Sequence, residues 1–336
     1  VTARPRAARA AAALDTALDL SVVGGYTRAG LAVRRRLATW PADPAPGSLA
    51  GRRALVTGAS SGLGTATAAG LAGLGAHVHL VVRDVEKGER TARAIEAEVP
   101  GARLSVERCD VADLDDVRRL ATDLCGRIGA EGAAGEGPAG LDVVVHNAGA
   151  MPPVRTTSPQ GRELTMALHV LGPVLMTDLL RPVLAGRAAR VLLVTSGGMY
   201  AQVLRADDPD YVTGDYSPTT AYARSKRAQV ELLGPLAQRW AGDGIAVHAV
   251  HPGWADTPGV VDALPGFHRL TGPLLRDAAG GADTAVWLAA AQPPPPGGRL
   301  WHDRRARPAY WLGRRRAAPA DVQRLWQWVR DAAGLA

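Results

Sequence analysis

The sequence predicts an α/β fold, a doubly wound parallel sheet in a single domain behind a helical N-terminal extension. Three observations predict it. A short apolar run leads into a glycine-rich turn and then an alanine-rich segment between residues 53 and 72. From residue 53 onward, strand-like and helix-like patterns alternate, as a parallel sheet with helices on both faces requires. Polar residues stand just past the ends of those strands, where an open α/β sheet holds its ligands.

Taken in order, residues 1–40 carry helical spacing through Leu14, Leu18, Val22, Val23, Leu31, Val33 and Leu37. The proline-rich stretch that follows breaks any helix, so 41–50 reads as a linker. The domain itself is expected over 51–303, and 304–336 as a C-terminal tail with a helix near 320–333. Its first strand, 53–56, opens into Thr57-Gly58-Ala59-Ser60-Ser61-Gly62-Leu63-Gly64, and the alanine-rich 65–72 behind it reads as a helix. A helix N-terminus after a glycine turn is a ready anion site, because backbone N–H groups and the helix dipole point at the ligand. A plain tight turn would carry the same glycines. The second strand is 77–82 and its helix 85–98; the third is 104–109 and its helix 114–125. The Gly/Ala/Glu-rich stretch 129–140 reads as a mobile surface loop. Strand four, 141–146, leads into a long helix over 160–184. Strand five is 191–194, followed by a helix with Tyr222 and Lys226, and strand six is 245–250.

Composition excludes several classes. Hydrophobic residues make up 47% and charged residues 21%, which allows a large core and argues against disorder. Of the 39 basic residues only Lys87 and Lys226 are lysine. Arginine and alanine excess of this kind follows codon bias, so the net charge of +7 is not a nucleic-acid signal, and no basic patch interleaved with aromatics occurs. Cys109 and Cys125 have neither metal-ligand spacing nor a disulfide framework and fit reduced, cytoplasmic surroundings. No apolar run approaches the ~18 residues of a membrane span. In residues 1–40 apolar positions alternate with arginines, which leaves two readings. The extension either makes peripheral membrane contact, and is dispensable for the fold, or packs back on the domain.

The chemistry-bearing candidates are Ser60 and Ser61, Arg83, Asp110, Asn147, Ser196 and Pro252-Gly253, at the ends of six different strands. One crevice would collect them all. Ser196 alone reads equally as a loop cap. Tyr222 and Lys226, four apart, project from one helix face. A neighbouring ammonium favours phenolate, so Tyr222 is a candidate general acid or base toward a carbonyl or alcohol oxygen. Ser196 would hydrogen-bond the same oxygen. His77, His79, His146 and His248 lie in strand patterns and read as core or edge residues.

The run 57–64, Asn147-Ala148-Gly149, Ser196, Tyr222-x-x-x-Lys226 and Pro252-Gly253 occur in an order that resembles the classical short-chain dehydrogenases/reductases over roughly residues 50–300. Segments 196–199, 251–260 and 264–268 resemble one subgroup of that family, and the likeness extends to 26–30. The resemblance implies a Rossmann-type domain and hydride transfer between a nicotinamide and a ketone, aldehyde or secondary alcohol. It implies catalytic roles for Ser196, Tyr222 and Lys226. It implies cofactor contacts from Gly58, Ser60, Ser61, Gly62, Leu63, Gly64, Arg83, Asp110, Val111, Asn147, Ala148, Gly149, Tyr222, Lys226, Pro252, Gly253 and Thr257. A homo-oligomer is also expected, and no metal.

Val82 stands where an NAD-type carboxylate would, and Arg83 after it suits a 2′-phosphate, so NADP(H) is expected over NAD(H). Asp84 either repels that phosphate or caps the next helix. One departure concerns the asparagine that the family carries in a proton relay after strand four. The single asparagine here is Asn147, and His169 takes the relay position. Its carbonyl could hold a relay water, its imidazole could shuttle protons, or it could simply fill a helix face. The interval of 26 residues from Ser196 to Tyr222 is long, and its insert, with Tyr211 and Tyr216, is expected to wall the substrate pocket. An apolar lid is expected over 253–276, from Trp254, Val260, Val261, Leu264, Phe267, Leu270, Leu274 and Leu275, which makes the substrate apolar. Two alternatives stay open: a catalytically weak cofactor-binding regulatory or scaffold protein, and an NAD-dependent alcohol dehydrogenase working oxidatively.

Overall fold

Eight strands form one sheet in the order β3-β2-β1-β4-β5-β6-β7-β8 in the computed structural model, which describes residues 3–135, 139–256, 266, 269, 271–311 and 316–335. They are β1 (Arg53–Thr57), β2 (His77–Val82), β3 (Arg103–Arg108), β4 (Val143–His146), β5 (Arg190–Val194), β6 (Ala246–Val250), β7 (Arg299–His302) and β8 (Arg305–Arg307). All neighbours are parallel except β8, which returns antiparallel to β7. The helices before the sheet are α1 (Ala3–Leu20), α2 (Val22–Tyr26) and α3 (Arg28–Arg35). Those between β1 and β5 are α4 (Gly62–Gly73), α5 (Val85–Glu98), α6 (Leu114–Ala134), α7 (Leu164–Met166), α8 (Gly172–Leu179) and α9 (Arg181–Leu184). Beyond β5 come α10 (Pro218–Glu231), α11 (Leu233–Trp240), α12 (Ala278–Ala290) and α13 (Pro319–Ala333).

Period-two alternation along the strands divides the core in two. Leu55, Val144, Val191, Leu193 and Val247 face one way, onto Leu124 of α6, Leu175 of α8 and Leu236 of α11. Their neighbours Ala54, Val56, Val143, Val145 and Leu192 face the other way, onto Leu71 of α4, Ile95 of α5 and Leu288 of α12. Burial on both faces is what makes the strands near-continuous apolar runs rather than alternating ones. The strand order reverses between β1 and β4, so their carboxyl ends part and open the crevice expected of this architecture.

Three expectations need correction, and of the two readings left open for the extension one is favoured. The stretch 129–140 is not a loop throughout. Helix α6 continues to Ala134 because Ile128 is buried and Glu131 pairs with Arg53, and Gly135 at φ +72° ends it. The long helix over 160–184 is interrupted instead of continuous. Thr157 bridges Glu163, α7 starts at Leu164, and a π-helical turn over Ala167–Leu171 precedes α8. Pro173 explains the interruption: it has no N–H to give the carbonyl four residues back, that of His169. Strands β7 and β8 were not anticipated, since Arg-Leu-Trp-His and Arg-Ala-Arg carry no apolar run. Finally, the N-terminal helices pack back on the domain, with Tyr26, Leu31 and Arg34 buried. Among the described residues no helix is long and apolar enough to cross a membrane.

Trp240 at the end of α11 is fully buried, and its indole N–H donates to Asp178 at 3.2 Å. Trp240→Ala should cost about 3–5 kcal/mol. The expected signature is a lower urea midpoint with an unchanged slope of unfolding free energy.

Candidate active site

The glycine turn is built by close approach. Gly58 has φ +65°, and a Cβ there would lie 2.8 Å from the Cα of Ala148. A Cβ on Gly64 would lie 2.1 Å from the carbonyl oxygen of Gly58. Only glycine lets α4 start this close to β1 and β4. The Thr57 hydroxyl accepts the N–H groups of Asn147 and Ala148, each at 3.0 Å. Asn147 Nδ2 donates back to the carbonyls of Thr57 at 3.1 Å and Gly58 at 3.3 Å. Ser60, Leu63 and Gly62 are partly exposed along this turn, and Ser61 is exposed at the N-cap of α4 with its side chain free of the cap.

Arg83, just past β2, is exposed and has no partner among the described residues. Asp84 is occupied as a helix cap: its Oδ1 accepts the Lys87 N–H at 3.0 Å at the start of α5. Asp110 accepts the Ala112 N–H at 3.0 Å and so shapes its own turn. The carbonyl of Val111 lies against Gly172, where a Cβ would come within 2.0 Å of it.

Ser196 ends β5, partly exposed, and accepts the Gly198 N–H at 3.2 Å. Tyr222 and Lys226 lie on α10 one turn apart, with Lys226 Nζ 5.4 Å from the centre of the Tyr222 ring. Burial raises the Tyr222 phenol above its ordinary value, and the nearby Ser196 hydroxyl offsets part of that rise. The expected lowering of the phenol by the ammonium is therefore not seen in the protein alone. The phenol's own burial outweighs it. Lys226 is buried too, its Nζ donating to the Val194 carbonyl at 2.8 Å, and with no carboxylate beside it among the described residues burial pushes the ammonium down to about 7.

His169 sits in the π-helical turn with its ring edge-on to Tyr222, centroids 5.3 Å apart. Its Nε2 accepts the Ala150 N–H at 3.3 Å, which puts the ring proton on Nδ1, and Nδ1 donates to Ser225 Oγ at 2.8 Å. Ser225 in turn donates to the Tyr222 carbonyl at 2.8 Å. Burial, reinforced by Lys226, holds the imidazole well below its ordinary value. The His169 carbonyl, left without a donor by Pro173, accepts Gln229 Nε2 at 2.7 Å. Carbonyl and both ring nitrogens are thus all engaged with protein groups.

The insert before α10 is pinned to the segment after β4. Arg162 reaches Asp210 at 3.0 Å, Arg155 donates to the Asp210 carbonyl at 3.0 Å, and Tyr216 donates to Glu163 at 3.0 Å. Tyr211 donates to the Asp215 carbonyl at 2.8 Å. Both tyrosine hydroxyls expected at the pocket wall are therefore bonded inside this scaffold. After β6, Pro252 and Gly253 are partly exposed, and Gly253 has φ +78°. Thr257 and the lid positions Val260, Val261, Leu264, Phe267 and Leu270 lie outside the described residues. A separate cavity of about 280 Å³ between Tyr200, Arg227, Glu231, Tyr310 and Trp311 is lined by none of the catalytic candidates, and Arg227, Glu231 and Tyr310 are bonded to one another. Among the described residues no group of His, Cys, Asp and Glu could hold a metal ion.

Sequence reasoning missed Ser225 and Gln229. Ser225 lies inside the Tyr-x-x-x-Lys motif, three residues after Tyr222, where a side chain can reach the carbonyl one turn back. Gln229 is signalled only indirectly, by the proline that strips His169 of its donor.

The family model described as short chain dehydrogenase matches residues 52–265. The chain is 35% identical over 289 residues to dehydrogenase/reductase SDR family member 12 of Bos taurus, covering 84% of this chain and 86% of that protein. It is 33% identical over 242 residues to retinol dehydrogenase 13 of Homo sapiens, covering 71% and 70%. The Pseudomonas aeruginosa RhlG/NADP active-site complex aligns with a TM-score of 0.59 at 27% identity, covering 76% of this chain and 96% of that one. A short chain dehydrogenase from Burkholderia cenocepacia in complex with NADP aligns with a TM-score of 0.58 at 25% identity, covering 76% and 97%.

The chain's two lysines allow Lys226 to be watched directly. With selectively labelled lysine, one side-chain NMR resonance should shift through a midpoint near pH about 7 and be missing in Lys226→Arg. A single pair of resonances titrating only in the usual lysine range would contradict a buried Lys226 held by the Val194 carbonyl.

Proposed function

The chain belongs to the short-chain dehydrogenase family, and on that premise we propose that it is an NADP(H)-dependent reductase of apolar ketones or aldehydes, with Tyr222 as proton donor. One observation carries the reading. A phenol kept protonated by burial stands with Ser196 and Lys226 at the end of β5, across the crevice from the glycine turn. The dinucleotide fits the residues present. Gly58 and Gly64 let the start of α4 pack onto the turn after β1 and the Asn-Ala-Gly segment, so that a helix N-terminus stands at the crevice for a pyrophosphate, and Arg83 has a guanidinium to spare for a 2′-phosphate. The NADP in the two aligned complexes supports the same choice.

Bound there, the nicotinamide would supply a hydride to the carbonyl carbon. Tyr222 Oη gives its proton to the carbonyl oxygen, and Ser196 Oγ–H holds that oxygen as its charge develops. Lys226 contributes positive charge below the phenol and toward the cofactor's ribose. His169 acts as a brace: its neutral ring fixes the Tyr222 ring edge-on and ties the Gly149-Ala150 turn to α10. An apolar substrate is favoured by exposed apolar side chains in the segments that follow the strands: Val154, Val212 and Leu274, three of the eight large ones exposed among the described residues, come after β4, β5 and β6. The relation to a retinol dehydrogenase points the same way.

Tyr222→Phe should abolish reduction of a panel of apolar ketones and aldehydes while leaving NADPH affinity within about twofold, since the ring still packs. Wild-type turnover by that variant would remove the mechanism. Arg83→Ala should weaken NADPH binding about tenfold and leave NADH unchanged, because one charge-assisted contact to the 2′-phosphate is lost. An NADH affinity equal to NADPH in the wild type would contradict the cofactor assignment. His169→Asn should lower kcat through a loosened Tyr222 ring yet leave the shape of the pH–rate profile above pH ~5.5 unaltered. A limb near ~6.5 that the substitution erases would instead make the imidazole a proton carrier.

A further inference from the structure

The N-terminal helices meet the rest of the protein through buried ions rather than through apolar surface alone, and the contacts converge on one loop. Asp303, at the turn between β7 and β8 with φ +50°, is almost wholly buried. It accepts Arg276 at 2.6 and 2.9 Å and Arg34 of α3 at 2.6 Å. Both guanidinium groups are equally buried, and both also donate to the Gly25 carbonyl, Arg34 at 2.8 Å and Arg276 at 2.9 Å. Burial alone would raise the Asp303 carboxyl, but His302, Arg276 and Arg34 hold it far below the usual carboxylate range. Further out, Asp15 of α1 takes Arg34 at 2.9 Å and Arg307 at 2.8 Å.

From this cluster the bonds run into the loop after β6. Arg276 Nε donates to the Tyr26 carbonyl at 3.0 Å, and the same carbonyl accepts the Trp254 N–H at 2.8 Å. The Arg276 N–H donates to the Trp254 carbonyl at 2.7 Å. A Cβ on Gly253 would lie 2.5 Å from the Arg276 guanidinium carbon, so the loop is laid directly on that side chain. The Tyr26 ring stands edge-on to His251 at 4.4 Å, and a Cβ on Gly197, the residue after Ser196, would come within 3.0 Å of it. Buried ion clusters are costly, and their best use is to specify one geometry. Here the specified geometry is that of two loops bordering the reaction centre.

We propose that Gly25, Tyr26 and Arg34, acting through Asp303 and Arg276, form a clamp that sets the Pro252–Trp254 loop, so that the N-terminal segment positions the nicotinamide half of the cofactor. The inference rests on the reading that this loop borders that half of the cofactor. Arg34 and Tyr26 are positioning residues, since neither reaches the crevice floor itself. A loop held in its binding geometry before the ligand arrives binds more tightly because less ordering remains to be done.

The test compares NADPH with 2′,5′-ADP, the fragment that keeps the adenosine and 2′-phosphate but lacks nicotinamide. Dissociation constants are measured by calorimetry on the full-length wild type, Arg34→Met and Asp15→Asn, with thermal melting alongside. Arg34→Met should weaken NADPH about tenfold and leave 2′,5′-ADP unchanged. Should Arg34→Met fail to fold, Asp15→Asn, one contact further out, should weaken NADPH about threefold with the same indifference to the fragment. Arg239→Met, which breaks the remote pair with Asp178, should lower the melting temperature without separating the two ligands. Equal weakening of both ligands, or unchanged NADPH affinity in a folded Arg34→Met, overturns the clamp. Gly253→Ala distinguishes the two ideas: if it weakens NADPH while Arg34→Met does not, the loop reading stands and the clamp falls. If neither variant changes NADPH affinity, or the wild type binds no NADPH, the loop reading falls and the clamp with it.

Discussion

The hydroxyl of Thr57 stitches together the two central strands at the point where they part. It accepts two consecutive N–H groups from Asn147 and Ala148, and Asn147 returns two bonds to the glycine turn. A valine of the same shape would leave the part-buried Ala148 N–H without this acceptor, a cost of about 1–3 kcal/mol, and would leave Asn147 only its bond to the Val145 carbonyl. The stitch sets the distance between the turn after β1 and the Asn-Ala-Gly segment after β4. The rest of the site is built outward from that segment: Ala150 holds His169, His169 holds Ser225, and Ser225 holds the backbone of Tyr222. The glycine turn and the backbone of Tyr222 are thereby registered to one another through these hydrogen bonds.

The molecule buries positive charge in two different ways, and the difference matches what each place has to do. Arg34 and Arg276 share the Asp303 carboxylate, and Arg34 has Asp15 as a second anionic partner. Among the described residues Lys226 has the Val194 carbonyl as its partner and no carboxylate, and burial lowers its ammonium to about 7. In a chain whose basic residues are otherwise almost all arginine, the buried cation beside Tyr222 is a lysine. An arginine there would hold a fixed charge in a forked shape that the single carbonyl could not satisfy.

Much of this was legible in the sequence because it is local. The helix over α5 and the strand over β2 follow from periodicity and caps alone, and both ends agree with the reading. The glycine turn and the Tyr222–Lys226 spacing are short-range patterns that map directly onto geometry. What escaped was non-local or locally contradictory. Strand β8 reads as a basic tail because its pairing partner, not its side chains, makes it a strand. The glycine-rich end of α6 reads as a loop because the salt bridge from Arg53 comes from far earlier in the chain. His169 stands edge-on to Tyr222, but its circumstances are not legible in sequence, since Pro173 signals a missing donor but not that Gln229 supplies another.

The ion cluster also orders events in time. Arg34 meets Asp303 across 269 residues, and Asp15 meets Arg307 across 292. During synthesis Arg34 can meet Asp15 as soon as the early helices exist, but Asp303, Arg276 and Arg307 emerge only after the β1–β6 strands. The ion cluster that fastens α1 to α3 therefore cannot be complete before the β7–β8 hairpin is made. A ribosome-bound or truncated chain short of that hairpin would have its glycine turn and its Tyr222 helix in place, yet hold a loop after β6 that nothing has fastened. Quality control that reads exposed, unfastened segments would find such chains distinguishable from finished ones at that loop.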